Sequence, residues 1–167
     1  CSTSTMLIEH DLLNQLHPLN RYRGATDNVM KIRLARLTEF DFVPEKLVYR
    51  GEPDWTLGHS LDAYRGRRRI LEEFADEYDA YPPAVRANAL ASTYFFGGVM
   101  YVEQSVWSPK AIEAFALANY YNPTFDPVYL VAFVSSLFGR MGWEAVRRLH
   151  RASSTYRNWL TDRLSRA

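Results

Sequence analysis

Four groups of residues in this 167-residue sequence have types and spacings that could do chemistry, and the first is a single carboxylate, Asp27. It stands in GATDNVMKIRLARL, where Gly24 ends a polar turn and Val29, Ile32, Leu34 and Leu37 follow near helical spacing. A carboxylate can take a proton from an attacking hydroxyl. At a helix start it also meets unpaired N–H groups and the positive end of the helix dipole. On the residues alone Asp27 or Thr26 is the N-cap of this helix, worth about 1 kcal/mol. The second group is His59, in a loop just before Ser60. An imidazole can bind a metal, but no second ligand stands at a recognisable spacing, so His59 reads as a surface histidine, as do His10 and His17.

The third group is Arg65, Arg67, Arg68 and Arg69, which could face phosphate oxygens. Glu72 and Glu73 lie four residues after Arg68 and Arg69, so helix-surface ion pairs account for half of this charge, and the run is left outside the site. The fourth is the stretch from Arg147 to Arg166, with six arginines against one acidic residue, Asp162, and with Leu149, Tyr156, Trp159 and Leu160 between them. Such a segment caps a helical stack with its polar side outward. The other reading lays it on an anionic membrane surface.

These residues need elements to hold them. Thr5 to Ile8 is a β-branched and apolar run, read as part of a strand from Thr3 to Glu9, and a short helix follows to Leu16, stopped by His17-Pro18. After the Asp27 helix, Phe40 to Val43 and Lys46 to Tyr49 read as short strands about Pro44-Glu45. GEPDWTLG is a loop, and Ser60 caps a helix to about Ala75. Composition changes at DEYDAYPP, where Pro82-Pro83 opens a new helix. The domains are therefore 1–80 and 81–167. Helices are expected from Pro83 to about Glu103, Pro109 to Tyr121, Asp126 to Phe138 and from Gly142 onward. The fold class is α+β, mostly α.

The helical half contains a repeat-like pattern. Tyr94, Gly97, Gly98 and Tyr101 have the first-helix spacing of a tetratricopeptide repeat, and Ala111, Phe115, Ala118 and Pro123 that of its second helix. Small residues let two antiparallel helices approach and the aromatic fills the space between hairpins, so Phe115 and Ala118 are expected to be buried. Ala145, Leu149 and Ala152 answer the second-helix set at the 34-residue period.

Composition sets bounds on function. Hydrophobic residues make up 47% and charged residues 23%, the balance of a folded, water-soluble chain. A net charge of +1 gives no pressure toward nucleic acid. One cysteine, Cys1, forms no internal disulfide, and no run approaches the ~20 apolar residues of a membrane helix. A cytoplasmic protein is the expectation. The start at Cys1 in place of Met, with the strand-like run from Thr3 to Glu9 lacking any partner element before it, reads as a fragment.

Three segments, taken in order, resemble the second half of the catalytic domain of family 2 glycosyltransferases, of the GT-A type. STSTMLIEHDLL resembles the strand and short helix that follow the metal-binding part of that site. GATDNVMKIRLARLTEFDFVPEKLVYR resembles the stretch in which an acidic pair opens a helix ending in Arg-Leu-Ala, followed by a strand, a turn and a Leu-Val-x-Arg strand. YRGRRRILEEF resembles the long helix that leaves the catalytic domain, after which a tetratricopeptide-like tail is common. Thr26 and Val29 depart from the family pattern, which has Glu or Gln and a polar residue there, and QLHPLN replaces its Gly-Phe-Asp turn.

The resemblance implies that 1–80 is the acceptor side of a partial GT-A-type domain and that 81–167 is a tetratricopeptide-like tail. It places Asp27 on the catalytic base, which takes the proton from an acceptor hydroxyl in an inverting sugar transfer. It implies a nucleotide-sugar donor, a sugar or lipid-linked acceptor, no nucleic acid, and a divalent metal, Mg or Mn, whose main ligands on an Asp-x-Asp motif lie outside this chain. His59 falls in the loop where some members place a histidine toward that metal. The chain alone would be inactive, and the basic C-terminal segment would offer peripheral contact at the inner face of a membrane. The competing expectation is a non-catalytic tetratricopeptide-like interaction module. Neither sugar, nucleotide nor acceptor can be chosen, because acceptor specificity lies in variable loops.

Overall fold

The structure is a computed structural model that describes residues 6–41, 43–45 and 58–150, and it is mostly helical. The chain divides into two compact units, Cys1–Ala80 and Tyr81–Ala167.

In the first unit α1 (His10–Gln15) leads through a cis His17–Pro18 peptide and a 3-10 turn (Asn20–Tyr22) into α2 (Thr26–Leu37). α3 (Leu61–Glu73) and the short α4 (Ala75–Asp79) follow. One core cluster joins Tyr22, Ala25 and Val29 to Ile70 and Phe74, and a second joins Leu16 to Met30 and Leu34. α2 therefore buries two stripes, one toward α3 and one toward α1.

The N-terminus of α3 follows the expectation, since the Ser60 hydroxyl accepts from the Ala63 N–H at 3.2 Å. That of α2 does not. Its N-cap is Ala25, and Thr26 and Asp27 are the first two helical residues. The Ala25 carbonyl already accepts from the Asn28 and Val29 N–H groups, at 3.1 and 3.3 Å, so the helix starts ahead of the polar residues expected to cap it.

The expected strands are also corrected. Met6 to Glu9 is irregular, as are Phe40, Asp41 and Val43, and no strand occurs among the described residues. Phe40 and Val43 stand exposed, with no neighbouring strand to pair their N–H and C=O groups. The expected strand from Lys46 to Tyr49 and residues Thr3 to Thr5 lie outside the described residues.

The second unit is a series of helices: α5 (Pro83–Gln104), α6 (Pro109–Tyr120), α7 (Pro127–Ser136) and α8, helical over the described residues 139–150. Prolines occupy the first turns of α5, α6 and α7, where a missing N–H costs nothing. Ser108 and Asp126 cap α6 and α7 through side-chain oxygens.

Phe115 and Ala118 are fully buried. The Phe115 ring lies 5.6 Å from that of Phe95 and 5.5 Å from that of Trp143, so α8 closes over the hairpin made by α5 and α6. The recurrence at Ala145 and Leu149 fails in burial: both are exposed, whereas Ala111 and Phe115 are in the core. Trp143 is the α8 residue that turns inward. Ala152 lies outside the described residues.

Candidate functional site

The site begins with how closely the turn before α2 approaches α3. Gly24 has φ +77°, a left-handed conformation that glycine adopts without strain, and a Cβ there would stand 2.8 Å from the Ala63 backbone. Gly66, one turn further along α3, faces Ala25, and a Cβ on it would lie 3.0 Å from the Ala25 Cβ and 3.2 Å from the Arg23 carbonyl oxygen. Four small residues, Gly24, Ala25, Ala63 and Gly66, thus let the turn lie against the helix. Asp27 follows the turn and Arg67 follows Gly66, so this approach brings the two charges together.

Asp27 is half-buried, and its Oδ1 accepts from the Asn28 N–H at 3.1 Å. That bond occupies a first-turn N–H, and the helix N-terminus is a favourable place for the charge of Asp27. Arg67 is also half-buried. Burial lowers its pKa from the usual guanidinium value, and the charge of Asp27 acts in the opposite direction. A carboxylate and a partly desolvated guanidinium therefore stand within electrostatic reach of one another.

The remaining arginines of α3 are used structurally. Arg65 pairs with Asp62 at 3.0 Å and Arg68 with Glu72 at 3.2 Å, both exposed. Arg69 donates to the Arg21 carbonyl oxygen at 3.0 Å and makes no direct bond to Glu73 in the way its i, i+4 spacing suggested. Arg67 is the residue that sequence reasoning missed. It was grouped with its neighbours as a solvated surface charge, and no local signal separates it, since Arg65 flanks Gly66 as well.

A second network holds α2 in place. The Tyr22 hydroxyl donates to Glu73 Oε2, and Arg21 Nη1 lies 3.2 Å from Glu73 Oε1. The tyrosine bond holds the Glu73 carboxyl below its ordinary pKa, with Arg21 adding to the effect, while burial raises that of Tyr22. From α2, Arg33 donates to the carbonyl oxygens of Leu16 at 2.5 Å and Pro18 at 3.1 Å and lies over the Tyr22 ring. Asp27 therefore sits at the start of a helix fixed at its middle by Arg33 and at its end by Arg36, which pairs with Glu77 and lies over the Phe74 ring.

His59 is exposed in the turn before Ser60. Among the described residues, no group of three or more His, Cys, Asp or Glu side chains is arranged to hold a metal ion. His10 pairs loosely with the exposed Asp11 at 3.5 Å. No protein-family model, curated protein or solved structure matches this chain.

Proposed function

We propose that the chain is the acceptor-side part of a glycosyltransferase that moves a sugar from a nucleotide-sugar donor to an acceptor hydroxyl with inversion, and that Asp27 is its base. The observation that carries this reading is the half-buried Asp27 in the first turn of a braced helix, with Arg67 within electrostatic reach of it. In the reaction the acceptor hydroxyl attacks the anomeric carbon as its proton passes to the Asp27 carboxylate, and the bond to the diphosphate breaks on the opposite face of the sugar. Arg67 is a positioning residue in this account. The partial GT-A-type domain and the divalent Mg or Mn bound on the donor side belong to the same proposal, and rest on the resemblance of STSTMLIEHDLL, GATDNVMKIRLARL and YRGRRRILEEF to that family.

The test is transfer of labelled sugar from a panel of nucleotide sugars to sugar and lipid-linked acceptors, by this chain joined to the donor-binding half that the reading requires. Transfer that depends on Mg or Mn is the expected outcome, with none by the chain alone. Turnover of a donor by the chain alone would overturn the division of roles. The alternative, a non-catalytic module built on tetratricopeptide-like hairpins, draws on the closed Phe95, Phe115 and Trp143 core of the second unit. It predicts no sugar transfer by the joined protein under any condition.

A further inference from the structure

Along α7 the usual sides are reversed. Ser135 and Ser136 face inward, buried, with their hydroxyls donating to the Ala132 and Phe133 carbonyl oxygens at 2.9 and 2.6 Å. Val131, Val134, Val128 and Leu130 face outward, 43%, 47%, 48% and 51% exposed. No charged residue stands between Asp126 and Arg140 to solvate that side. The inner side is already filled, since Ala132 lies in the core with Phe115 and Trp143. A helix that is apolar all round is one that is covered all round, so the outer face of α7 calls for an occupant.

We infer that this face is the seat of the chain's own C-terminal segment, with Tyr156, Trp159 and Leu160 laid over Leu130, Val131 and Val134. Residues 151–167 lie outside the described residues, and three features of the chain select them. The first is order. α5, α6, α7 and α8 follow one another through short turns at 105–108, 121–126 and 137–138, of the kind that join antiparallel neighbours. Ser153, Ser154 and Thr155 interrupt the apolar pattern after Leu149 and offer the N-cap of one more helix, which in this series returns alongside α7. The second is pattern and length. Tyr156, Leu160 and Leu164 recur every four residues with Trp159 next to Leu160, one side of a helix, and Arg163 on that side can lay its stem on apolar surface with its charge at the edge. A helix over 156–166 would be about 16 Å long, against about 15 Å for α7. The third is attachment. A segment tethered at the end of α8 acts at an effective concentration in the millimolar range, which a second copy or a separate protein at micromolar concentration does not match. The inference stands independently of the transferase reading.

The experiment is hydrogen exchange on the full chain, read at the α7 amides, for the wild type and for Trp159→Ser with Leu160→Ser. The expected result is slow exchange over Leu130 to Val134 in the wild type, quickened roughly tenfold or more in the double variant, with the α3 amides unchanged. Val134→Lys places a charge under the cover and should quicken the same amides. The three changes together should do little more than the larger effect alone, because each removes the same contact. If the double variant does not fold, Leu160→Ala carries the same comparison. Undiminished α7 protection in the folded variant would overturn the inference. Strictly additive effects would do so too, by seating the segment elsewhere. Concentration-dependent self-association that Val134→Lys abolishes would give the face to a second copy instead.

Discussion

Gly98 on α5 and Phe115 on α6 touch so closely that a methyl group at position 98 would lie 2.7 Å from the Phe115 ring. The ring has nowhere to retreat, because Phe95 stands at 5.6 Å on one side and Trp143 at 5.5 Å on another. Gly98→Ala gains about 1 kcal/mol of helix propensity, yet overpacking a filled core costs ~1–3 kcal/mol, so a net loss is expected. Phe115→Ala should cost ~3–5 kcal/mol, the range for truncating a buried aromatic. Chemical denaturation measures both. An unchanged midpoint for Phe115→Ala would contradict the assigned core.

Gly24→Ala tests the approach that builds the candidate site. Alanine pays ~1–2 kcal/mol in the left-handed conformation, and its Cβ would also meet the Ala63 backbone. The turn must shift, so stability should fall by more than 1 kcal/mol. The control is an alanine substitution at the exposed Arg65, which should change the unfolding midpoint little.

Glu73 sets an acid limit on the first unit. Its carboxyl is held below its ordinary pKa, chiefly by the Tyr22 hydroxyl and then by Arg21. A depressed folded value gives stability that is complete above the unfolded glutamate pKa of about 4.3 and is lost as pH falls through the folded value. Glu73→Gln should therefore flatten the fall in melting temperature below about pH 4.3, with the larger deficit against wild type at neutral pH. Equal acid slopes for the two proteins would remove Glu73 from this role.

Much of the helical framework was legible because its signals are local. Ser60, Pro83, Pro109 and Asp126 mark helix starts within one turn of where they act, and Gly98 with Phe115 shows a small residue opposite a large one at hairpin spacing. The misses are non-local. Arg67 differs from Arg65, Arg68 and Arg69 only because the turn at Gly24 and Ala25 lies against its side of α3, which no spacing within α3 reveals. Thr26 and Asp27 lie inside α2 because the Ala25 carbonyl takes its first hydrogen bonds. The apolar run at Phe40 to Val43 has strand-like composition, but a strand is defined by its partner, and none stands beside the described residues of that run. The Val106 carbonyl oxygen accepts from the Arg140 N–H although a whole helical hairpin separates them in sequence.

Arg67→Gln separates positioning from packing. If Arg67 orients Asp27, the variant should lose transfer in kcat with little change in donor KM, and the loss should exceed what any fall in Tm from removing a half-buried guanidinium explains. A loss confined to stability would make Arg67 a structural partner alone.

The central claim is that Asp27 accepts the proton of the acceptor hydroxyl, and Asp27→Asn in the joined, active protein tests it most directly. Asparagine can still accept the Asn28 N–H that Asp27 Oδ1 now receives at 3.1 Å, so folding and donor affinity should be retained. It cannot take the proton, so the transfer rate should fall by roughly 10²–10⁴-fold at unchanged melting temperature. A transfer rate within a few-fold of wild type would contradict the claim and leave Asp27 with a structural role at the start of α2.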